Sequence, residues 1–188
     1  MIKKLLPLLL LILIGCSEPE PFSVPINDGN IITYHETGQI VEEKNFNEKG
    51  ELHGIYKSYF EDGFVEHQGM MKNGKKDGEW IVYYDEPYNS SENRKLFVRN
   101  FKDGKLFGMW TSYHWKGYKK SEGLWEDNLR VGEHIEYYEN GNIKKKGTFM
   151  NGFDIGEHIE YYENGNIKEV QQFPNELTLH QKFLVFIF

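Results

Sequence analysis

The chain has 188 residues, with 29 Asp and Glu against 22 Lys and Arg and a formal net charge of −7. An acidic balance argues against binding phosphate backbones, which requires clustered Lys and Arg, so nucleic acid is not an expected partner. Aromatic residues make up 15% of the chain and there is one cysteine.

The first 16 residues read as an export signal. Lys3 and Lys4 give a short basic start, and Leu5 to Ile14 is an apolar run of ten. As a helix that run would cover only ~15 Å, about half a bilayer core, so a secretory signal peptide over residues 1–15 fits better than a membrane span. Leu13-Ile14-Gly15-Cys16 resembles the bacterial lipobox, in which the cysteine is lipidated and becomes the mature N-terminus. That resemblance implies an exported lipoprotein held at the cell envelope through Cys16, since two acyl chains suffice for stable anchoring. The mature chain would then hold no thiol for a disulfide, a metal site or a nucleophile. Removing residues 1–15 takes Lys+Arg from 22 to 20 against 29 acids, a net charge of −9. Residues 16–28 follow as lipidated N-terminus and tether, the stretch Ser17 to Pro25 holding three prolines.

From residue 29 onward the chain repeats. Gly132 to Lys144 (GEHIEYYENGNIK) recurs letter for letter from Gly156 to Lys168, 24 residues later. Counting that glycine as position 0, further copies begin at Gly108, Gly78, Gly54 and Gly29. Position 5 is tyrosine in all six: Tyr34, Tyr59, Tyr83, Tyr113, Tyr137 and Tyr161. Asn140-Gly141 and Asn164-Gly165 stand between runs rich in Tyr and Ile, the signature of a hairpin with a type I′ turn. With the turn at positions 8 and 9, facing positions sum to 17. Tyr138 then faces Ile143, Tyr137 faces Lys144, Glu136 faces Lys145, His134 faces Gly147 and Gly132 faces Phe149. On this pairing a ring covers a glycine at positions 2 with 15 and 17 with 0. A second turn, Met150 to Gly156, leads to the next hairpin.

The expected fold is all-β: a single-layer, open, twisted antiparallel meander of about twelve strands, some 55 Å long at ~4.8 Å per strand. Six hairpin repeats fill residues 29–173, the Gly78 copy is swollen by extra residues at 87–93, and 174–188 is an apolar C-terminal tail ending FLVFIF. Two readings of that tail stand open, a cap on the last edge strand or an apolar end with no role in the fold.

GEWIVYY (Gly78 to Tyr84) and GEHIEYYENGNIKKKGTFMNGFDIG (Gly132 to Gly156) resemble the bacterial variant of the MORN-type repeats, whose pattern is G-x-W-x-x-Y-Y-x-x-G-x-(I/L)-x-x-x-G-x-(F/Y)-x-(N/D)-G-x-x-x-G. The resemblance implies a single-layer sheet and association with proteins or membranes. Bacterial members are often labelled as antitoxin components. This chain departs from the pattern with His at 134 and 158 in place of Trp, and with Lys44, Arg99 and Gln171 at position 15 in place of Gly.

His134 and His158 invite a metal, yet they fill a slot that holds Tyr56, Trp80 and Trp110 in other copies, and strands two apart lie ~9.6 Å from each other, too far for one zinc. No metal or other cofactor is expected. The acids recur at repeated surface positions, and no nucleophile elbow, phosphate loop or HExxH occurs, so no enzyme is expected. Tyr56, Trp80, Trp110, His134 and His158 share one face, with position 5 on the other. A single layer cannot bury a whole face by itself, so that face is covered by the sheet's own twist, by a second copy as a homodimer, or by a partner. The expected role is a non-catalytic protein-binding or scaffolding module at the envelope. Alternatives are an antitoxin-like partner that neutralises a toxin and a binder of cell-wall glycan. The YYENGNIK stretch resembles cell-wall-binding hairpin repeats, whose shorter period does not fit.

Overall fold

The computed structural model describes residues 22–27, 29–85, 94–178 and 181. Thirteen strands form one antiparallel sheet in strict chain order. They are β1 (Phe22–Asn27), β2 (Asn30–Tyr34), β3 (Ile40–Asn45), β4 (Gly54–Tyr59), β5 (Val65–Lys72), β6 (Lys75–Tyr83), β7 (Lys95–Lys102), β8 (Lys105–Tyr113), β9 (Lys119–Glu126), β10 (Leu129–Tyr137), β11 (Ile143–Met150), β12 (Phe153–Tyr161) and β13 (Ile167–Gln172). Among the described residues β1 and β13 are the two edges of the sheet, and twelve spacings of about 4.8 Å give a ribbon roughly 58 Å long. The single-layer all-β meander expected from the repeat is the fold observed. Among the described residues only Met71, Trp80, Ile81 and Leu177 form buried apolar side chains, as a sheet without a second layer requires.

One strand exceeds the six hairpins. β1 draws residues 22–27, expected as tether, into the sheet, pairing from Phe22↔Tyr34 to Asn27↔Asn30. Pro25 is tolerated there because an edge strand has a row of backbone groups with no neighbour to serve.

Two kinds of turn alternate, and the type I′ turn lies at the other end of the hairpin from where the sequence places it. Within the repeat, Gly141 N–H donates to Tyr138 C=O (3.0 Å) and Tyr138 N–H to Asn142 C=O (2.9 Å). Only Gly141 has positive φ (87°), which makes this a type I turn closed by a left-handed glycine. Asn140 serves through its side chain, its Oδ1 accepting the Asn142 N–H at 2.9 Å. Type I′ turns join one hairpin to the next, at Asn73-Gly74, Asp103-Gly104, Asp127-Asn128 and Asn151-Gly152, where both central residues have φ between 48° and 85°.

The register follows from this geometry. Tyr137 pairs with Ile143, so neither Tyr138 with Ile143 nor Tyr137 with Lys144 is a pair. Lys144 is then an extra residue in β11, and beyond it the expected pairs Glu136↔Lys145, His134↔Gly147 and Gly132↔Phe149 all stand. Position 11 therefore moves to the face of the position-5 tyrosine.

Glycines 0 and 15 also have different reasons from those expected. Gly132 (φ 67°) and Gly156 (φ 65°) sit where the ladder to the preceding hairpin slips by two residues, so position 0 supplies a left-handed bulge that keeps the faces in phase. Position 15 has no such φ. A Cβ on Gly69, Gly123 or Gly147 would run into the ring of Trp80, His134 or His158, which belongs in each case to the following repeat. The ring that covers Gly147 is thus His158, not its hairpin partner His134.

Gly147→Ala is expected to destabilise the fold by ~1–3 kcal/mol through overpacking, although its backbone angles suit any residue. In a His158→Ala background the same change should have a much smaller effect, read from urea unfolding of both single variants and the double. Equal losses in the two backgrounds would mean that the ring is not what demands the glycine.

Candidate binding surface

The structure brings Tyr56, Trp80, Trp110, His134 and His158 onto one face, as the repeat phase requires. Position-17 rings alternate with them across the strands. Tyr56 stacks on Trp80 (centroids 5.6 Å), and Trp80 meets Phe101 edge-on (6.4 Å). A second run goes Trp110, Trp125, His134, Phe149, His158, Phe173 at 4.7–6.0 Å between neighbours. Such edge-to-face contacts bring the positive rim of one ring to the negative face of the next. Trp80 and His158 are 4% and 3% exposed, while Tyr56, Trp110 and His134 are half-buried. These residues are first of all the packing between repeats.

The bulge at position 0 leaves a backbone carbonyl facing this seam, and two devices meet it. Where position 15 is glycine, the next repeat's ring lies over it and donates to the carbonyl of position 16. Trp80 Nε1 reaches Met70 O (2.9 Å), His134 Nε2 reaches Leu124 O (2.8 Å) and His158 Nε2 reaches Thr148 O (3.0 Å). A carbonyl only accepts, so both histidines carry the proton on Nε2. Where position 15 is Lys44 or Arg99, position 16 is asparagine instead. Asn45 Nδ2 donates to Ile55 O (2.6 Å) and Asn100 Nδ2 to Met109 O (2.9 Å). Trp110, denied a glycine by Arg99, keeps a buried indole N–H with no acceptor, and so does Trp125. Sequence reasoning noted the missing glycines but not the asparagines beside them, whose presence was the available signal.

The opposite face has its own inter-repeat bonds. Tyr59 Oη donates to Glu43 (2.6 Å), Tyr137 Oη donates to Glu122 (2.6 Å), and Gln68 Nε2 donates to Tyr83 Oη (2.8 Å). Burial, with the Glu122 hydrogen bond added, pushes the Tyr137 phenol up to about 12. Near the turns, position 6 bonds the following repeat at its position-5 carbonyl: Tyr84 to Tyr113 O (2.8 Å), His114 to Tyr137 O (3.1 Å) and Tyr138 to Tyr161 O (2.7 Å). This explains a preference for Tyr or His at position 6, which a purely apolar reading leaves unexplained. Exposed apolar pairs also lie on this face, Ile55 opposite Met70 and Met109 opposite Leu124, at 42–53% exposure.

Three cations lie over the ring file. Lys76 Nζ is 4.1 Å from the Trp80 ring and 5.3 Å from Phe101. The Arg99 guanidinium is 4.0 Å from Phe97 and 5.7 Å from Trp110, and that of Arg130 is 5.7 Å from Trp125 and 5.2 Å from Phe149. Burial, with Arg99 nearby, holds the Lys76 ammonium below its ordinary range. No group of three or more His, Cys, Asp or Glu suited to a metal occurs among the described residues. No described helix is long and apolar enough to cross a membrane. Cys16, the loop at 87–93 and the FLVFIF tail lie outside the described residues.

Fold and surface together define an open, single-layer β-repeat array with an aromatic seam in two runs, parted at Arg99. The family described as MORN repeat variant matches this chain at residues 27–48, 52–73, 130–151 and 155–174, so four of the units are similar to MORN-variant repeats. No curated protein matches the sequence. Among solved structures, a point mutant of S. aureus TarM in complex with Fondaparinux, alpha-GlcNAc-glycerol and UDP is similar at 9% identity and TM-score 0.31, over 72% of this chain and 21% of that one. A second TarM crystal structure gives 10% identity and TM-score 0.30, over 72% and 20%. The present chain spans about a fifth of the length of those proteins, and likeness at that level carries no functional meaning.

Burial holds the His134 imidazolium below the ordinary value of 6.5. The unfolded chain therefore takes up that proton first on acidification, and stability present at neutral pH is lost as pH falls below the unfolded value. Unfolding free energy should decline from about pH 7.5 to about pH 5.5, and less steeply in His134→Trp, a residue that Trp80 shows can lie over glycine in the same slot. Equal slopes would remove His134 from the acid response.

Proposed function

We propose that this chain is an exported, lipid-anchored repeat protein of the cell envelope that presents a face of its sheet to a partner protein and performs no catalysis. The observation that carries the reading is a single-layer sheet whose side chains do duty as packing between repeats while both faces stay open to solvent. The MORN-variant match supports it, because such repeats are widely used for association. Leu13-Ile14-Gly15-Cys16 supports the anchor. From Cys16 to β1 there are six residues, which span at most ~20 Å fully extended, so the anchored sheet would be tethered close to the membrane by its first edge. With a mature charge of −9 the body gains nothing from an anionic bilayer, which leaves both faces free for a protein.

Expression with a labelled fatty acid, followed by membrane fractionation, tests the anchor. Wild type should carry label and sediment with membranes, and Cys16→Ala should remain an unprocessed, unlabelled precursor. Label on the variant, or none on wild type, would overturn the anchor. Crosslinking in the native membrane tests the binding role: one protein neighbour recovered reproducibly supports it, and peptidoglycan fragments in its place overturn it.

A further inference from the structure

Lys76, Arg99 and Arg130 stand together on the middle of the ring-bearing face, and none has an acid partner among the described residues. The hairpin does not require them. Lys76 and Arg130 occupy one repeat position, two before the glycine, where other copies hold Leu52 and Leu106. Arg99 replaces a position-15 glycine and deprives Trp110 of its hydrogen bond. Unpaired cations over rings, in a chain with net charge −7, leave a local surplus of positive charge and of hydrogen-bond donors. The acids of this face are Glu42 on β3, Glu136 on β10, which pairs across the ladder with Lys145, and Asp154 and Glu160 on β12, so within the patch three cations stand against one acid that already faces a lysine.

We propose that this patch, from β6 to β10, is the docking site for an extended acidic segment of a partner protein. This names the partner chemistry for the protein-binding reading above and rests on it. Carboxylates suit the donors present, since a guanidinium binds them through two parallel hydrogen bonds. Four strand spacings cover ~19 Å, the length of about six extended residues. A flat anionic membrane fits less well, because it would bring Glu42, Asp154 and Glu160 against its own charge.

The test uses the full chain in a neutral detergent and a fluorescein-labelled decaglutamate peptide, followed by anisotropy. Binding should weaken with added salt and fall at least about tenfold in Lys76→Leu/Arg99→Gln/Arg130→Leu, substitutions that copy Leu52, Gln171 and Leu106 of sister repeats. Lys105→Gln/Lys116→Gln/Lys168→Gln removes three cations that already have acid partners, and should keep binding within about twofold. Unchanged melting temperatures in both triple variants would show that the fold is intact, and if only the first variant melts early, Arg99→Gln alone must still weaken binding. No binding by wild type, or equal loss in the two triple variants, overturns the site. So does tighter, cation-dependent binding to phosphatidylserine vesicles or to heparin, which would assign the patch to a membrane or a glycan. A crosslinked protein neighbour that persists in the first variant would sink this site and leave the protein-binding reading standing.

Discussion

The structure depends on one close approach: a flat ring of one repeat resting on the bare backbone of the repeat before it. A sheet with no second layer has no core in the usual sense, and among the described residues no side chain is completely buried. Cohesion must come from neighbours along the ribbon. The approach of Trp80 to Gly69, His134 to Gly123 and His158 to Gly147 supplies apolar contact and closes a ring N–H···O=C bond at the same step. Each such bond contributes of order 0.5–1.5 kcal/mol, and more would be lost if the bulged carbonyl were left bare.

That requirement explains the chain's variation as well as its repetition. Where glycine is absent, asparagine at the next position reaches over the seam and serves a carbonyl of the following strand, as Asn45 and Asn100 do. The two solutions exclude one another, since a side chain at position 15 occupies the space the ring would need. Tyrosine at position 5 and Tyr or His at position 6 repeat the logic with hydroxyl and imidazole donors. Many of the unit's polar aromatics thus bond across a repeat boundary. Stability is distributed along the array in nearest-neighbour steps.

The same seam shapes what the surface can do. Rings committed to packing expose little of themselves, with Trp80 and His158 almost covered, so on that face the cations lying over them present the charge to solvent. An acidic protein with a cationic strip set among aromatic rings has a face that differs in charge from its own ends, and a polarity of that kind selects for ligand shape as well as ligand sign.

The sequence by itself determined the repeat, its phase, the antiparallel meander and the face shared by Tyr56, Trp80, Trp110, His134 and His158, because period and alternation are properties of the chain that backbone pairing must obey. It also located both turns. It did not determine which turn was type I′: Asn-Gly occurs at Asn140-Gly141 and at Asn151-Gly152, and local propensity is the same for both. The two-residue connection from Met150 to Phe153 decides it, since only there do the flanking strands pair right up to the turn. Tertiary structure alone decided which ring lies on which glycine and made Lys144 an extra residue. It also gathered Lys76, Arg99 and Arg130, 54 residues apart at the extremes, into one patch. Those outcomes depend on how one hairpin is laid against the next, a slip of two residues at the left-handed glycine of position 0, and no single repeat contains its neighbour.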